Sequence, residues 1–184
     1  MEIFLIRHGE ASQSWDQSPD PGLSELGKSQ AKDCFNFLSS RTELSNFDLV
    51  SSPLKRAIET AAPFKQNLGI DLKIKEEFKE IPSPGISLEE RKEWLQGVFK
   101  KNITELEKPQ TLWRNNILSC LDKITKPTII FTHFMVINIV SGSLKKEDKV
   151  VSFYPDNCSI TQIRKEGKNL KLISQGNELQ TKVN

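Results

Sequence analysis

Both histidines of the chain come just after short apolar segments. His8 follows the run Ile3 to Ile6, and His133 follows a second run, Thr128 to Phe131. A continuous apolar run of this length is typical of a strand that is buried on both faces of a parallel sheet. Functional groups gather beyond the carboxyl ends of such strands in open α/β folds. We therefore expect the two imidazoles to lie close together.

Two arginines accompany these histidines. Arg7 precedes His8, and Arg56 lies in the first predicted helical turn after a third apolar segment, 47–50. A neutral imidazole nitrogen can attack phosphorus when a hydrogen bond orients its ring. A guanidinium group can hold two phosphoryl oxygens and stabilise the negative charge that develops on them. These residue types therefore indicate phosphoryl transfer.

A phosphate ester also needs a carboxyl group that protonates the leaving oxygen and later deprotonates water. Glu76, Glu77 and Glu80 form an acidic run that ends at Pro82. Glu80 is the preferred candidate because Ile81 and Pro82 end the segment directly after it. Glu77 is the alternative.

The elements that position these groups alternate between strand and helix. Strands are predicted at 3–6, 47–50, 72–74 and 128–131, with a hairpin of 159–164 and 170–173. Helices are predicted at 24–41, 54–68, 112–124 and 134–140, and another after a capping box at Ser87 and Glu90. Pro63 is expected to kink or shorten the second helix. This order predicts one α/β domain, residues 1–184, built as a three-layer α/β/α sandwich with a largely parallel central sheet.

Composition excludes several classes of protein. The chain is 36% hydrophobic and 27% charged, and its net charge is only +2, without a concentrated basic stretch. We therefore expect no nucleic-acid partner. Without a long apolar span or a leader-like start, the chain is expected to have no membrane contact and to be cytoplasmic. Cys34, Cys120 and Cys158 are predicted to be buried thiols, on two helices and a strand, in a reducing compartment.

Arg7-His8-Gly9-Glu10 resembles the signature of the histidine phosphatase superfamily, which includes the cofactor-dependent phosphoglycerate mutases. The resemblance continues, in the expected order, through residues 23–31, 51–61, Glu80, Thr132-His133 and 157–161. Six pieces in the expected order are far more specific than any single motif. The resemblance implies a phosphoglycerate mutase-like fold and covers nearly the whole chain.

The resemblance also implies a role for each matching residue. His8 would be the phosphorylated nucleophile. Arg7, Arg56, His133 and the backbone N–H of Phe134 would bind the phosphoryl oxygens. No metal and no cofactor are implied.

Three further positions follow from the same resemblance. Glu80 aligns with the proton donor. Ser14 stands where many members have an Asn that contacts phosphate. Phe134 stands where Gly is common, and we expect it to narrow the pocket while keeping its backbone donor.

The leading hypothesis is a phosphatase that hydrolyses small phosphomonoesters through a phosphohistidine intermediate. A phosphomutase, a protein-phosphohistidine phosphatase and a non-catalytic phosphate-binding module are the alternatives. Trp94, Phe99 and Trp113 lie in or near the segment where the family carries a variable lid. Their helical spacing favours core packing over a role at the substrate entrance.

Overall fold

Six strands form one mixed sheet in the structure, a computed structural model that describes residues 1–14 and 17–179. The strand order is β3-β2-β4-β1-β5-β6, and the first four strands of that order are parallel. The last two are antiparallel and form the predicted hairpin at the sheet edge. The strands are β1 (Glu2–Arg7), β2 (Asp48–Ser51), β3 (Leu72–Ile74), β4 (Thr128–Thr132), β5 (Ile160–Glu166) and β6 (Asn169–Ser174).

Helices cover both faces of this sheet. They are α1 (Glu25–Ser39), α2 (Lys55–Leu68), α3 (Arg91–Phe99), α4 (Lys108–Asp122) and α5 (Phe134–Lys145). Helices α1 and α2 share one apolar core with the sheet, and α3, α4 and α5 share the other. The predicted α/β/α sandwich with a largely parallel sheet is therefore confirmed.

Strand β1 shows why the apolar runs are continuous. Ile3 and Leu5 belong to the core under α3, α4 and α5, whereas Phe4 and Ile6 belong to the core under α1 and α2. Successive side chains of a strand point to opposite faces, so a strand covered on both sides needs apolar residues at every position. The strand ends at Arg7, so His8 is the first residue of the following loop.

The predicted end of α2 at residue 68 is confirmed, whereas the predicted end of α5 is wrong. Helix α2 runs through Pro63 to Leu68 and ends at Gly69, whose φ of +66° gives a left-handed cap. Pro63 does not shorten the helix, because Ala57, Ala61 and neighbouring side chains of its buried face pack on the sheet. Helix α5 does not end near residue 140 but continues to Lys145.

The cysteines also differ from their prediction. Cys34 is buried on α1, as expected, whereas Cys120 on α4 is only half-buried. Cys158 is half-buried and lies in a turn before β5, with a φ of +55°, rather than on a strand. A positive φ is not readable from the type of a non-glycine residue, so the strand prediction failed there.

None of the helices in the described part of the chain is both long and apolar enough to cross a bilayer.

Candidate active site

The candidate site lies beyond the carboxyl ends of β1, β2 and β4. Parallel pairing of β1 with β4 sets Arg7 beside Thr132, so the two histidines that follow are neighbours. The His8 backbone N–H donates to the Thr132 carbonyl at 2.9 Å, and the His8 and His133 ring centroids are 5.2 Å apart. The structure thus brings together the two imidazoles expected to meet.

Hydrogen bonds to both ring nitrogens define the tautomer of His8. Nδ1 lies 2.7 Å from the Gly9 carbonyl oxygen, which can only accept. Arg56 Nε lies 3.1 Å from His8 Nε2 and can only donate. The proton therefore resides on Nδ1, and Nε2 carries an unprotonated lone pair. Such a nitrogen can act as a nucleophile or as a hydrogen-bond acceptor.

The contacts of His133 are compatible with the same tautomer. Its Nε2 lies 2.7 Å from Ser52 Oγ, and that oxygen accepts a hydrogen bond from the Leu54 backbone N–H at 3.3 Å. The Ser52 hydroxyl has one proton to donate, and donation of that proton to Nε2 places the proton of His133 on Nδ1. This N–H can donate to a bound anion.

Two buried polar atoms of this cluster have no hydrogen-bond partner within residues 1–14 and 17–179. They are His133 Nδ1 and Arg7 Nε. Arg7 is held by its Nη1, which donates to the Pro155 carbonyl at 2.8 Å, and its Cζ lies 5.5 Å from the Phe134 ring centroid. Buried donors are rarely left unpaired, so these two indicate a site for an acceptor-rich group.

The loop after His8 is joined to helix α2 through Thr60. The Thr60 hydroxyl donates to the Arg56 carbonyl at 2.6 Å and accepts from the Gly9 N–H at 3.0 Å. Asn157 Nδ2 donates to the His8 carbonyl at 3.1 Å from the other side. The backbone on both sides of the His8 ring is therefore fixed by side chains from distant segments.

Glu80 is buried, with only 8% of its surface exposed. Its carboxyl accepts a hydrogen bond from the Ile81 N–H at 2.9 Å. The preceding carbonyls are also held: Thr132 Oγ1 donates to Phe78 at 2.8 Å and Trp113 Nε1 donates to Lys79 at 2.9 Å. Trp113 packs in the core, as predicted, and its hydrogen bond also helps to fix the position of Glu80.

The alternative carboxyl, Glu77, lies elsewhere. It belongs to a short 3-10 turn, Glu76–Phe78, and lines a groove together with Lys75 and with Cys120 of α4. Glu80, three residues later, lines the same cavity as His8. The geometry therefore favours Glu80.

A small cavity of about 30 Å³ joins these groups. Its wall combines charged or titratable side chains with part of the loop 11–22: His8, Ala11, Ser18, Pro19, Pro21, Arg56, Glu80 and Arg91. Ser14 is exposed, and its carbonyl accepts from the N–H groups of Gln17 and Ser18. Among the described residues of this loop, Ser18 rather than Ser14 lines the cavity.

Phe134 begins helix α5, so its backbone N–H lies in the first turn, where no intrahelical acceptor is available. Its ring is buried and stacks on Phe99, with centroids 5.1 Å apart, while Tyr154 packs at 5.6 Å. Phe99 thus packs in the core, as predicted. The Phe134 ring joins this aromatic cluster instead of lining the cavity.

Burial and the arginines control the charge of the histidines. Burial lowers the pKa of His8 well below its usual value, and the positive charges of Arg56 and Arg7 lower it further. Burial and the same two arginines also lower the pKa of His133. Both imidazoles are therefore kept neutral, in agreement with their hydrogen bonds.

Burial acts on the carboxyl and on the guanidiniums as well. It raises the pKa of Glu80 above its ordinary value, although the Ile81 N–H, Arg56 and Arg7 oppose the rise. Burial also lowers the pKa of Arg7 to about 10, so this guanidinium remains charged at neutral pH. A carboxyl of raised pKa in the same cavity as an unprotonated imidazole nitrogen can donate a proton more readily at neutral pH than an exposed carboxyl can.

The family model of the histidine phosphatase superfamily (branch 1) matches residues 3–178 of the chain. The chain belongs to this superfamily. No curated protein matches the sequence significantly.

Solved structures of the same architecture cover nearly the whole chain. Bacillus stearothermophilus YhfR is 21% identical, with a TM-score of 0.75 and coverage of 96% of each chain. Mycobacterial glucosyl-3-phosphoglycerate phosphatase is 18% identical, with a TM-score of 0.71, and 95% of this chain and 98% of that chain are covered. Entamoeba histolytica phosphoserine phosphatase, solved with 3-phosphoglyceric acid, is 22% identical with a TM-score of 0.68 and 96% coverage of each chain. At these identities the likeness shows a shared fold.

Sequence reasoning did not assign roles to several residues that hold this candidate site together. Ser52, Thr60 and Asn157 all lie inside motifs that the resemblance covers, so a local signal was present. Their partners, however, are up to 149 residues away along the chain. Arg91 gave no signal, because its place beside the cavity depends on the path of the segment before α3.

We predict that neither histidine titrates near its usual pKa of about 6.5 in the folded protein. Because the folded pKa values are lowered, protonation requires a more acidic solution, and the corresponding stability is lost as pH falls below about 6.5. Long-range ¹H–¹⁵N NMR spectra should show two neutral imidazoles from about pH 6 to pH 8, with the proton of His8 on Nδ1.

The chain has only two histidines, so these spectra are simple to assign with a His133→Gln variant. The urea-unfolded protein is the control, in which both rings should titrate near about pH 6.5. A folded-state midpoint near that value for His8, or a proton on its Nε2, would contradict the tautomer deduced above.

Proposed function

We propose that this chain is a phosphatase that hydrolyses small phosphomonoesters through a covalent phosphohistidine on His8. The observation that carries the proposal is the unprotonated His8 Nε2, with Arg56 Nε 3.1 Å away, in one cavity with the buried carboxyl of Glu80. Membership of the superfamily supports phosphoryl transfer as the reaction class. Two of the structural relatives are named as phosphatases of glucosyl-3-phosphoglycerate and of phosphoserine, which favours hydrolysis.

In the first step His8 Nε2 attacks phosphorus. The N–P bond forms while the P–O bond to the alcohol breaks. The phosphoryl oxygens accept from Arg56, which gives up its hydrogen bond to Nε2, and from Arg7 Nε and His133 Nδ1. The Phe134 N–H at the start of α5 adds a fourth donor. Fixed donors of this kind stabilise the charge spread over the equatorial oxygens.

Glu80 handles the protons. In its neutral form it donates a proton to the leaving alkoxide oxygen, so that a neutral alcohol departs. The resulting carboxylate then takes a proton from water as the water oxygen attacks the phosphohistidine. The N–P bond breaks, inorganic phosphate leaves, and both His8 and Glu80 return to their starting forms. The raised pKa of Glu80 supports this double role, since an acid and base work best near the operating pH.

Phosphate release from a panel of small phosphomonoesters tests the proposal. The panel contains O-phosphoserine, 3-phosphoglycerate, p-nitrophenyl phosphate and a phosphohistidine peptide. At least one ester should be hydrolysed, and His8→Ala should reduce kcat/KM by about 10³-fold or more while retaining the native circular dichroism spectrum.

A parallel assay for isomerisation of 3-phosphoglycerate decides between hydrolysis and the mutase alternative. Isomerisation without phosphate release would contradict the proposal, as would binding of vanadate with no turnover of any panel member.

Glu80→Gln should lower kcat/KM for alkyl phosphates by about 10²- to 10⁴-fold, because their alkoxide leaving groups require a proton. The loss should be much smaller for p-nitrophenyl phosphate, whose leaving group departs without one. Glu77→Gln, a matched change three residues away in another groove, should change neither value by more than about twofold.

The ratio of the two substrates' kcat/KM values is the decisive quantity, since a general structural defect would lower both. Equal losses for both substrates with Glu80→Gln, or a comparable defect in Glu77→Gln, would remove Glu80 from the mechanism.

A further inference from the structure

Two of the three cysteines are neighbours behind the candidate site. Cys34 is buried on α1, and Cys158, in the turn before β5, packs against the same apolar core. Both residues also line a surface groove of about 660 Å³. The Cys34 thiol interacts with the Cys158 side chain, and this interaction and burial raise the pKa of Cys34 well above its usual value. The third thiol, Cys120 of α4, packs against the core on the other face of the sheet.

The turn that carries Cys158 is hydrogen-bonded to the first strand and to the loop after it. Asn157 Nδ2 donates to the His8 carbonyl at 3.1 Å. The Cys158 N–H donates to the Arg7 carbonyl at 3.0 Å, and the Arg7 N–H donates to the Ser159 carbonyl at 3.2 Å. Three successive residues of the turn thus hold the backbone of Arg7 and His8. A movement of this turn therefore reaches the proposed nucleophile directly.

The two thiols differ in their readiness to react with an oxidant. The thiolate is the reactive form, and a nearby cation favours it. Burial lowers the pKa of Arg7, and nearby negative groups, Cys158 among them, act in the opposite direction. Arg7 therefore stabilises negative charge on Cys158, which is also half-buried in the groove. Cys34 is buried and its raised pKa keeps it protonated, so Cys158 reacts first.

We propose that Cys34 and Cys158 form a reversible disulfide when the protein meets hydrogen peroxide or another uncharged peroxide, and that this bond draws Asn157 away from His8. The charged side chains that line the groove are Asp33, Arg41 and Asp156, which leave one negative charge in excess. An uncharged peroxide therefore enters the groove more readily than an anionic disulfide such as oxidised glutathione.

The reaction has two steps and consumes one peroxide. The Cys158 thiolate attacks a peroxide oxygen, the S–O bond forms as the O–O bond breaks, and the hydroxide that leaves is protonated to water. Cys34 sulfur then attacks the sulfenic sulfur of Cys158. The S–S bond forms, the S–O bond breaks, and the departing hydroxide takes the Cys34 proton. Two thiols and one hydrogen peroxide thus give a disulfide and two waters, and a dithiol reverses the oxidation.

The disulfide displaces the turn rather than the helix. Disulfide sulfurs are about 2.05 Å apart, much closer than two unbonded sulfurs can approach. Cys34 lies inside α1 between Ala31 and Leu38, which are buried in the same core. Cys158 lies in a turn, with a φ of +55° that residues other than glycine rarely adopt. The turn therefore moves toward α1, and the Asn157 side chain moves with it.

Peptide mapping of the oxidised protein tests the bond itself. The folded wild-type protein is treated with hydrogen peroxide, unfolded in the presence of an alkylating agent, and digested without reduction. We expect a linked pair of peptides that joins Cys34 to Cys158, while Cys120 is alkylated, and dithiothreitol should restore both thiols. Linkage through Cys120, or peroxide treatment that leaves Cys34 and Cys158 unlinked, would overturn the inference.

Long-range ¹H–¹⁵N NMR spectra of the His8 ring test the effect on the site without any substrate. Peroxide should shift the His8 signals of the wild-type protein and of the matched control Cys120→Ala, and dithiothreitol should reverse the shift. Cys34→Ala should not respond. Cys158→Ser, which is close in size, replaces Cys34→Ala if that variant does not fold. Unchanged His8 signals in protein shown to contain the disulfide would contradict the coupling.

The effect of oxidation on turnover rests on the proposed function. Where His8-dependent hydrolysis is found, the disulfide should lower kcat/KM by about 10- to 10²-fold in the wild type, because the nucleophile is displaced. Equal peroxide sensitivity of Cys34→Ala would show that the inference is wrong while the proposed function stands. If no ester is hydrolysed but the bond forms and the His8 signals shift, the proposed function fails and the disulfide inference stands.

Discussion

The hydrogen bond from His8 Nδ1 to the Gly9 carbonyl, 2.7 Å long, is the interaction on which the site depends. It fixes the proton on one ring nitrogen and leaves the lone pair of Nε2 directed away from that carbonyl. Gly27 of α1 lies so close to this loop that neither Gly9 nor Gly27 has room for a side chain. A Cβ on Gly9 would lie 2.6 Å from the Gly27 carbonyl oxygen, which no side chain tolerates. Packing of α1 against the loop after β1 thus orients the imidazole.

The electrostatics of the site follow from burying two guanidiniums, two imidazoles and one carboxyl close together. Burial disfavours every charged form, but the guanidiniums retain their charge because their ordinary pKa is so high. Their charge and burial act in the same direction on His8 and His133, which stay neutral. For Glu80 burial and the arginines act in opposite directions, and burial prevails. One pocket therefore provides an unprotonated nitrogen, a carboxyl of raised pKa and fixed positive charge.

Much of this architecture is predictable from local sequence. The apolar runs of β1 and β4 and the end of α2 at residue 68 follow from residue type and spacing. The topology of a parallel sheet then brings His8 and His133 together. Local sequence does not show the packing on the sheet that keeps α2 helical beyond Pro63. It also does not show the turn in which Cys158 adopts a positive φ. The roles of the site residues, the absence of a cofactor and the cytoplasmic location stay predictions.

The most direct test of the central claim is the chemical identity of a trapped phosphoenzyme. The protein is quenched in base during turnover of a labelled phosphomonoester, and the modified atom is assigned by mass spectrometry and ³¹P NMR. The account predicts an acid-labile, base-stable phosphoryl group on Nε2 of His8 and none in His8→Ala. A phosphoryl group on Nδ1, on His133 or on Ser52, or equal labelling of His8→Ala, would contradict it.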